Sequence, residues 1–566
     1  MSLSRLVLIF SFSLIFFNSC KQQSTIRNIK GPIANEAMIS SAHPLASAVG
    51  LYIMKIGGNA IDAAIATHFA LAVVYPQAGN IGGGGFALIR MNDGTINSLD
   101  FREKAPELAH RDMYLNADGK MNNLFSTHGH MASGIPGAVD GMFALHQKYA
   151  TMSMAELIEP SVEIAQNGFA LTFLAAELLN SKQDEFQKYN RWSIPFLSDQ
   201  KWQKGDTIKQ TDLAQTLKHI QTNGRDGFYQ GIVADQIVAE MLSGNGLISI
   251  ADLKNYHSVW RNPIIGNYRG HQIISMAPPS SGGVALIQLL QGIEGYPIAE
   301  WGHNSAKTIH LMTELERRVY ADRATYLGDP DFVDVPVDQL LDPSYNHQLF
   351  SDISFEKATP STLISAGKLL PSESQETTHL SVVDSNGNAV AITTTLNSSF
   401  GNKLMVKGAG FFLNNQMDDF SSKPGLPNQF GLIGGERNSI APHKRMLSSM
   451  TPTIVTYNGK LKMVVGTPGG STIITSVYQT LLNVIDHGMG MQEAVNAKRV
   501  HHQWYPDEIR IETDALTKSV KANLEQFGHD LRITDKIGRM DCVLVLPDGR
   551  LEGGADPRGD NTALGY

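Results

Sequence analysis

Thr377-Thr378-His379-Leu380-Ser381-Val382-Val383-Asp384 lies deep inside a chain of 566 residues, yet it reads as a beginning. The polar run Pro371-Ser372-Glu373-Ser374-Gln375-Glu376 stops at Thr377. A strand-like stretch follows, then the turn signal Ser385-Asn386-Gly387-Asn388, then Ala389-Val390-Ala391-Ile392-Thr393-Thr394-Thr395-Leu396-Asn397. Asn-Gly between two β-branched runs is the strongest short-range hairpin signal. A turn centred on Asn386-Gly387 makes paired residue numbers sum to about 773, which sets Thr377 opposite roughly residue 396. Period 2 then puts Thr393, Thr395 and Asn397 on one face, close to Thr377.

That geometry has a chemical reading. A Thr hydroxyl is a poor nucleophile until a base takes its proton. A cut between Glu376 and Thr377 would create that base, the new α-amine. Its pKa is about 7.7–8, so part of it is neutral near pH 7. It sits on the same residue as the hydroxyl, which removes much of the entropy of positioning. From the hairpin alone, an ordinary Thr-rich edge strand is the simpler reading, because Thr is common in strands.

Other segments decide between the two. Along the chain stand Leu99-Asp100-Phe101-Arg102-Glu103-Lys104-Ala105-Pro106, Ser133-Gly134-Ile135-Pro136-Gly137 and Pro278-Pro279-Ser280-Ser281-Gly282-Gly283. Further on come Tyr320-Ala321-Asp322-Arg323, Asn414-Asn415-Gln416-Met417-Asp418-Asp419-Phe420, Leu447-Ser448-Ser449-Met450 and Gly466-Thr467-Pro468-Gly469-Gly470-Ser471. With Thr377-Thr378-His379, and in this order, they resemble the gamma-glutamyltranspeptidase family, autoprocessed N-terminal-nucleophile hydrolases. The resemblance runs from about Pro32 to Tyr566. It implies a four-layer α-β-β-α sandwich, formed by a large subunit (20–376) and a small catalytic subunit (377–566) around one core.

The resemblance also implies roles. Thr377 matches the nucleophile, and Thr395 the residue that orients it. Asn397, Gln416 and Asp419 match positions that bind the substrate's α-amine. Arg102 matches the clamp on the α-carboxylate, aided by Ser448 and Ser449. Gly469 and Gly470 match the oxyanion hole, where glycine lets backbone N–H groups come close. The residue types suit the ligand, since a γ-glutamyl group needs a carboxylate for its amine and Arg plus hydroxyls for its carboxylate. Read without the resemblance, Arg102 is a strand salt bridge, Ser448-Ser449 a capped turn and Gly469-Gly470 a glycine turn before a helix. Asp418 is expected to support the loop. Lys423 to Gly431 resembles a lid loop, with Phe430 where many bacterial members carry Tyr.

The implied activity is γ-glutamyl transfer to an amino acid or dipeptide, or to water, with glutathione as a donor and no metal or organic cofactor. The enzyme alternative is a related glutaryl or cephalosporin acylase, which binds acyl groups without an α-amine. Asn397, Gln416 and Asp419 argue against it. A non-catalytic ligand-binding lipoprotein is the other alternative, and an intact Thr377 and Gly469-Gly470 argue against that.

Composition narrows the partners. A formal net charge of −8 offers no basic footprint for nucleic acid. Arg5 precedes an apolar run from Leu6 to Phe17, and Asn18-Ser19-Cys20 closes it. This reads as a signal peptide over 1–19, with lipid on Cys20, a polar tether over 22–30 and a periplasmic location, most simply on the outer membrane. The one other cysteine, Cys542, reads as a buried strand residue. Ile81-Gly82-Gly83-Gly84-Gly85 lacks the Lys-Ser/Thr of a phosphate loop and reads as a tight turn beneath the site. His501-His502 does not have a metal-ligand spacing and reads as structural.

Overall fold

The computed structural model describes residues 30–364, 377–423, 428–429, 432 and 434–566. Cys20, Glu376, Phe430 and most of the expected lid loop lie outside the described residues.

Two seven-stranded antiparallel sheets form the centre. The first has the strand order Thr562–Gly565, Met38–Ser41, Thr378–Val383, Ala389–Thr395, Gly84–Arg90, Ile96–Phe101 and Val259–Arg261. The second runs Ile33–Ala34, Leu551–Ala555, Asp541–Val545, Lys460–Val465, Thr453–Tyr457, His271–Ser275 and Ile264–Tyr268. Met38, Leu88, Ala391, Ile274, Ile454, Val464 and Val543 fill the seam between them. The central strands are buried on both faces, with polar residues such as Ser40, Ser381 and Thr393 buried among their apolar ones.

Helices cover the outer faces. Pro44–Lys55 and Ala60–Val74 lie on the first sheet's side, in a core with Ile39, Ile392 and Ala87. Gly57, at φ 106°, ends the first of these helices, and Asn59 with Asp62 forms a capping box for the second. Gly282–Glu294, Ala306–Tyr326 and Thr472–Ile485 cover the second sheet with a separate apolar core. The result is the expected α-β-β-α sandwich.

Segments on the two sides of Thr377 alternate within the sheets. Met38–Ser41 is hydrogen-bonded between Thr562–Gly565 and Thr378–Val383. A break before Thr377 therefore leaves both pieces in one core. Cys542 is fully buried on its strand, as expected.

The hairpin itself departs from the expected register by one residue. Val383 pairs with Ala389 and Thr378 with Thr394, a sum of 772. Asp384 is the cause. Its carboxylate accepts from the backbone N–H of Asn386 and of Asn388, both at 3.0 Å, so three residues fill the loop instead of two. Only Gly387 takes positive φ, 81°, where a two-residue type I′ turn needs it twice. The shift brings Thr395, not Leu396, across from Thr377.

Candidate active site

Thr377 precedes the first paired residue of its strand and is 5% exposed. Its Oγ1 lies 3.3 Å from Oγ1 of Thr395. Asn397 then turns the chain away at φ 79°, a left-handed conformation that Asn tolerates better than most residues. Its backbone N–H donates to Thr395 Oγ1 at 2.8 Å, and its Nδ2 to the carbonyl of Asn415 at 2.9 Å. The glycine run lies beneath. A Cβ on Gly83 would stand 2.0 Å from the carbonyl oxygen of Thr395, and one on Gly85 2.2 Å from that of Thr393. Glycine is needed there for close backbone packing, in line with the tight-turn reading.

Thr377, Thr395, Asn397, Gln416, Asp419 and Arg102 share one open cleft with Ser448, Ser449 and Gly470, about 560 Å³ of space including its mouth. Every expected site residue that is described lines it except Gly469. Gly469 and Gly470 take φ of 141° and 55°, immediately before helix Thr472–Ile485. Neither N–H donates to a described backbone carbonyl. The Gly469 carbonyl is fixed by the N–H and hydroxyl of Thr472, at 3.0 and 2.8 Å. A helix N-terminus behind these amides favours negative charge in front of them.

The charged part of the cleft is an ion pair. Arg102 Nη2 meets Asp419 Oδ2 at 2.5 Å, with Arg102 1% and Asp419 11% exposed. Gln416 Nε2 donates to the same oxygen at 2.8 Å, and Gln416 Oε1 is buried with no described partner. An orphaned acceptor beside a carboxylate suits an incoming ammonium. Burial raises the Asp419 carboxyl above its ordinary range, with Arg102 opposing. Arg102 also stands 3.5 Å from Glu103, whose carboxyl burial pushes up to about 7. Ser448 Oγ accepts from the N–H of Met450 at 3.1 Å, which leaves its proton for another acceptor.

Several contributors escaped the sequence reading. Asn438 ties the two halves of the site: its Nδ2 donates to the Asp419 carbonyl at 2.7 Å and its Oδ1 accepts from the Leu447 N–H at 2.9 Å. Arg323 reaches the cleft from helix Ala306–Tyr326 and donates to Ser449 Oγ at 3.0 Å. Asp418 behaves as expected, accepting from Ser126 Oγ and the Gln429 N–H at 2.6 and 3.0 Å. His379, the nearest histidine in sequence, is bonded to Thr393 and Ser381 hydroxyls and held neutral by burial, its pKa lowered to about 3. A nucleophile here must find its base elsewhere. His501 likewise bonds only Thr475 and Gln503, and no metal-holding cluster occurs among the described residues.

Residues 46–566 match the model of the gamma-glutamyltranspeptidase family. The chain belongs to that family. It is 46% identical to a glutathione hydrolase proenzyme of Escherichia coli K12 over 94% of this chain and 92% of that one. Among solved structures, a gamma-glutamyltranspeptidase of Helicobacter pylori is 45% identical, with a TM-score of 0.56, over 60% of this chain and 97% of its own. A cephalosporin acylase from Bacillus halodurans superimposes more completely, TM-score 0.83 over 98% and 99%, but at 25% identity. The acylases are thus the more distant relatives in sequence.

Proposed function

We propose that this member of the family is a self-cleaving γ-glutamyltransferase and glutathione hydrolase. The observation that carries the reading is one cleft in which a threonine at a strand's start faces an Arg–Asp pair with an orphaned Gln acceptor beside it. An α-amino acid carries both charges and complements that pair; a plain acyl group does not.

The chemistry follows from the groups present. A break between Glu376 and Thr377 frees the α-amine of Thr377, which takes the proton of its own hydroxyl. Oγ1 attacks the γ-amide carbonyl, and the N–H groups at Gly469 and Gly470 receive the oxyanion; one such donor is worth ~2.7–4 kcal/mol. The amine hands its proton to the departing amine, leaving a γ-glutamyl ester on Thr377. Water or an acceptor amine then attacks the ester and releases glutamate or a new γ-glutamyl amide. Asp419, Gln416 and Asn397 would hold the α-amine, and Ser448, Ser449 and Arg102 the α-carboxylate. The length of the matched H. pylori chain, covering 60% of this one, is in keeping with a separate large subunit.

Release of p-nitroaniline from L-γ-glutamyl-p-nitroanilide, with and without glycylglycine, tests the reading. Stimulation by glycylglycine indicates transfer; no release at all would reject the assignment.

We also propose a location. The Arg5, Leu6–Phe17 and Cys20 pattern supports export with lipid on Cys20, in the periplasm on the outer membrane. No helix among the described residues is long and apolar enough to cross a membrane. Cys20→Ser should release the enzyme from membrane fractions. Unaltered fractionation would replace the lipid anchor with simple secretion.

A further inference from the structure

Arg323 carries a charge that nothing so far explains. It is 4% exposed and lines the cleft. Burying a guanidinium without a counter-ion is unfavourable, and proteins normally pair it. Arg102, Arg318, Arg445 and Arg499 obey that rule, pairing with Asp419, Glu314, Asp100 and Asp556 in turn. Arg323 has no ion pair among the described residues. Its Nε donates to Ser281 Oγ at 2.9 Å and its Nη2 to Ser449 Oγ at 3.0 Å. Ser281 in turn donates to the Ser448 carbonyl at 2.6 Å. Burial lowers the Arg323 pKa to about 10, which leaves it charged at neutral pH.

The direction of these bonds matters. Arginine only donates. Ser449 Oγ therefore accepts from Arg323 and must give its own proton to something else. No described group takes it, and Ser449 faces the cleft. A hydroxyl with a cation behind it and open space before it is a donor fixed for an anion. Arg102, the obvious cation, is already held at 2.5 Å by Asp419 and faces Glu103 at 3.5 Å. Arg323 has no described carboxylate in ion-pair contact; Asp419, already held by Arg102, acts on it only from beyond that distance.

We propose that Arg323 is a specificity-determining residue of this site: through Ser449 it adds a second positive charge, beside Arg102, to the end of the cleft that holds the substrate's α-carboxylate. The proposal rests on the γ-glutamyl reading above. It makes Arg323 a positioning residue, acting through Ser449, not a group that meets the reacting carbonyl.

The test compares two substrates, L-γ-glutamyl-p-nitroanilide and its analogue with the α-carboxylate turned into a carboxamide. Wild type should prefer the carboxylate; equal turnover would overturn the γ-glutamyl reading and this proposal together. Arg323→Met should lower kcat/KM on the carboxylate substrate about ten- to a hundredfold, mainly through KM, the size of a charge-assisted hydrogen bond. On the carboxamide it should change little. Arg323→Lys keeps the charge but loses the fork, so it should show an intermediate loss confined to the carboxylate substrate. It also serves where the Met variant does not fold or self-cleave. Ser449→Ala combined with Arg323→Met should cost little more than either alone, because one relay is removed. Equal losses on both substrates, or additive losses in the double variant, would mean that Arg323 only supports the fold. Undiminished kcat/KM on the carboxylate substrate would also overturn the proposal.

Discussion

Asp419→Asn isolates the group expected to recognise the substrate's ammonium. The carboxylate accepts from Arg102 at 2.5 Å and from Gln416 at 2.8 Å, and the Asn428 amide lies 3.4 Å from its other oxygen. Asparagine keeps the shape but drops the charge, and it leaves Arg102 to repel the incoming ammonium. Removing one member of a buried charge pair costs about 2–5 kcal/mol. One feature puts this case at the lower end: Asp419 is 11% exposed, so water still reaches the pair. A loss of about 2–3 kcal/mol corresponds to roughly 30- to 150-fold in kcat/KM. The assay is initial-rate kinetics on L-γ-glutamyl-p-nitroanilide beside glutaryl-p-nitroanilide, which lacks the α-amine. The variant should self-cleave normally, because Asp419 is bonded to Arg102 and Gln416, not to Thr377. It should lose activity on the γ-glutamyl substrate and little on the glutaryl one. Equal losses on both, or near-normal γ-glutamyl turnover, would refute the assignment of Asp419 to the amine.

Thr395→Val removes the hydroxyl 3.3 Å from Thr377 Oγ1. Net hydrogen-bond energies of ~0.5–1.5 kcal/mol give a fall in kcat of about 2- to 10-fold, with KM unchanged, in steady-state kinetics on self-cleaved enzyme. Glu103→Gln addresses pH. Burial raises the Glu103 carboxyl from 4.5 to about 7, so the folded state binds the proton more tightly than the unfolded one. That stabilisation is complete below pH 4.5 and is lost as pH rises through about 7. Glu103→Gln should lack this loss. In a Thr377→Ala background, urea unfolding between pH 4.5 and 7.5 should show the variant gaining about 3 kcal/mol on its parent. A constant difference across that range would mean that Glu103 is not held protonated.

Much of this site was legible in the sequence because its groups sit in short runs. Thr377 and Thr395 belong to one hairpin, which put them close together; the expected register set residue 396 across from Thr377, and that one-residue error came from Asp384 capturing two backbone amides, which Asn-Gly chemistry alone does not reveal. Gln416 and Asp419 share a single 3₁₀ turn. The roles of Arg323 and Asn438 were not legible. Arg323 meets Ser449 across 126 residues of chain, and Asn438 joins two loops whose approach is set by tertiary packing. The Tyr320-Ala321-Asp322-Arg323 run was a visible landmark, but helical spacing could not say that one of its faces opens into the cleft. The interleaving of early and late strands in the first sheet was likewise invisible, since strand order follows long-range pairing and not local propensity.

The central claim is that Thr377 becomes an N-terminal nucleophile. Mass spectrometry of the denatured protein, quenched during turnover of L-γ-glutamyl-p-nitroanilide, tests it most directly. The account predicts a fragment spanning residues 377–566, beginning Thr-Thr-His-Leu and carrying one γ-glutamyl group as an ester on Thr377. Thr377→Ala should give a single uncut and unmodified chain. A wild-type chain that stays whole while turning substrate over, a fragment that begins elsewhere, or an acyl group on another residue would contradict it.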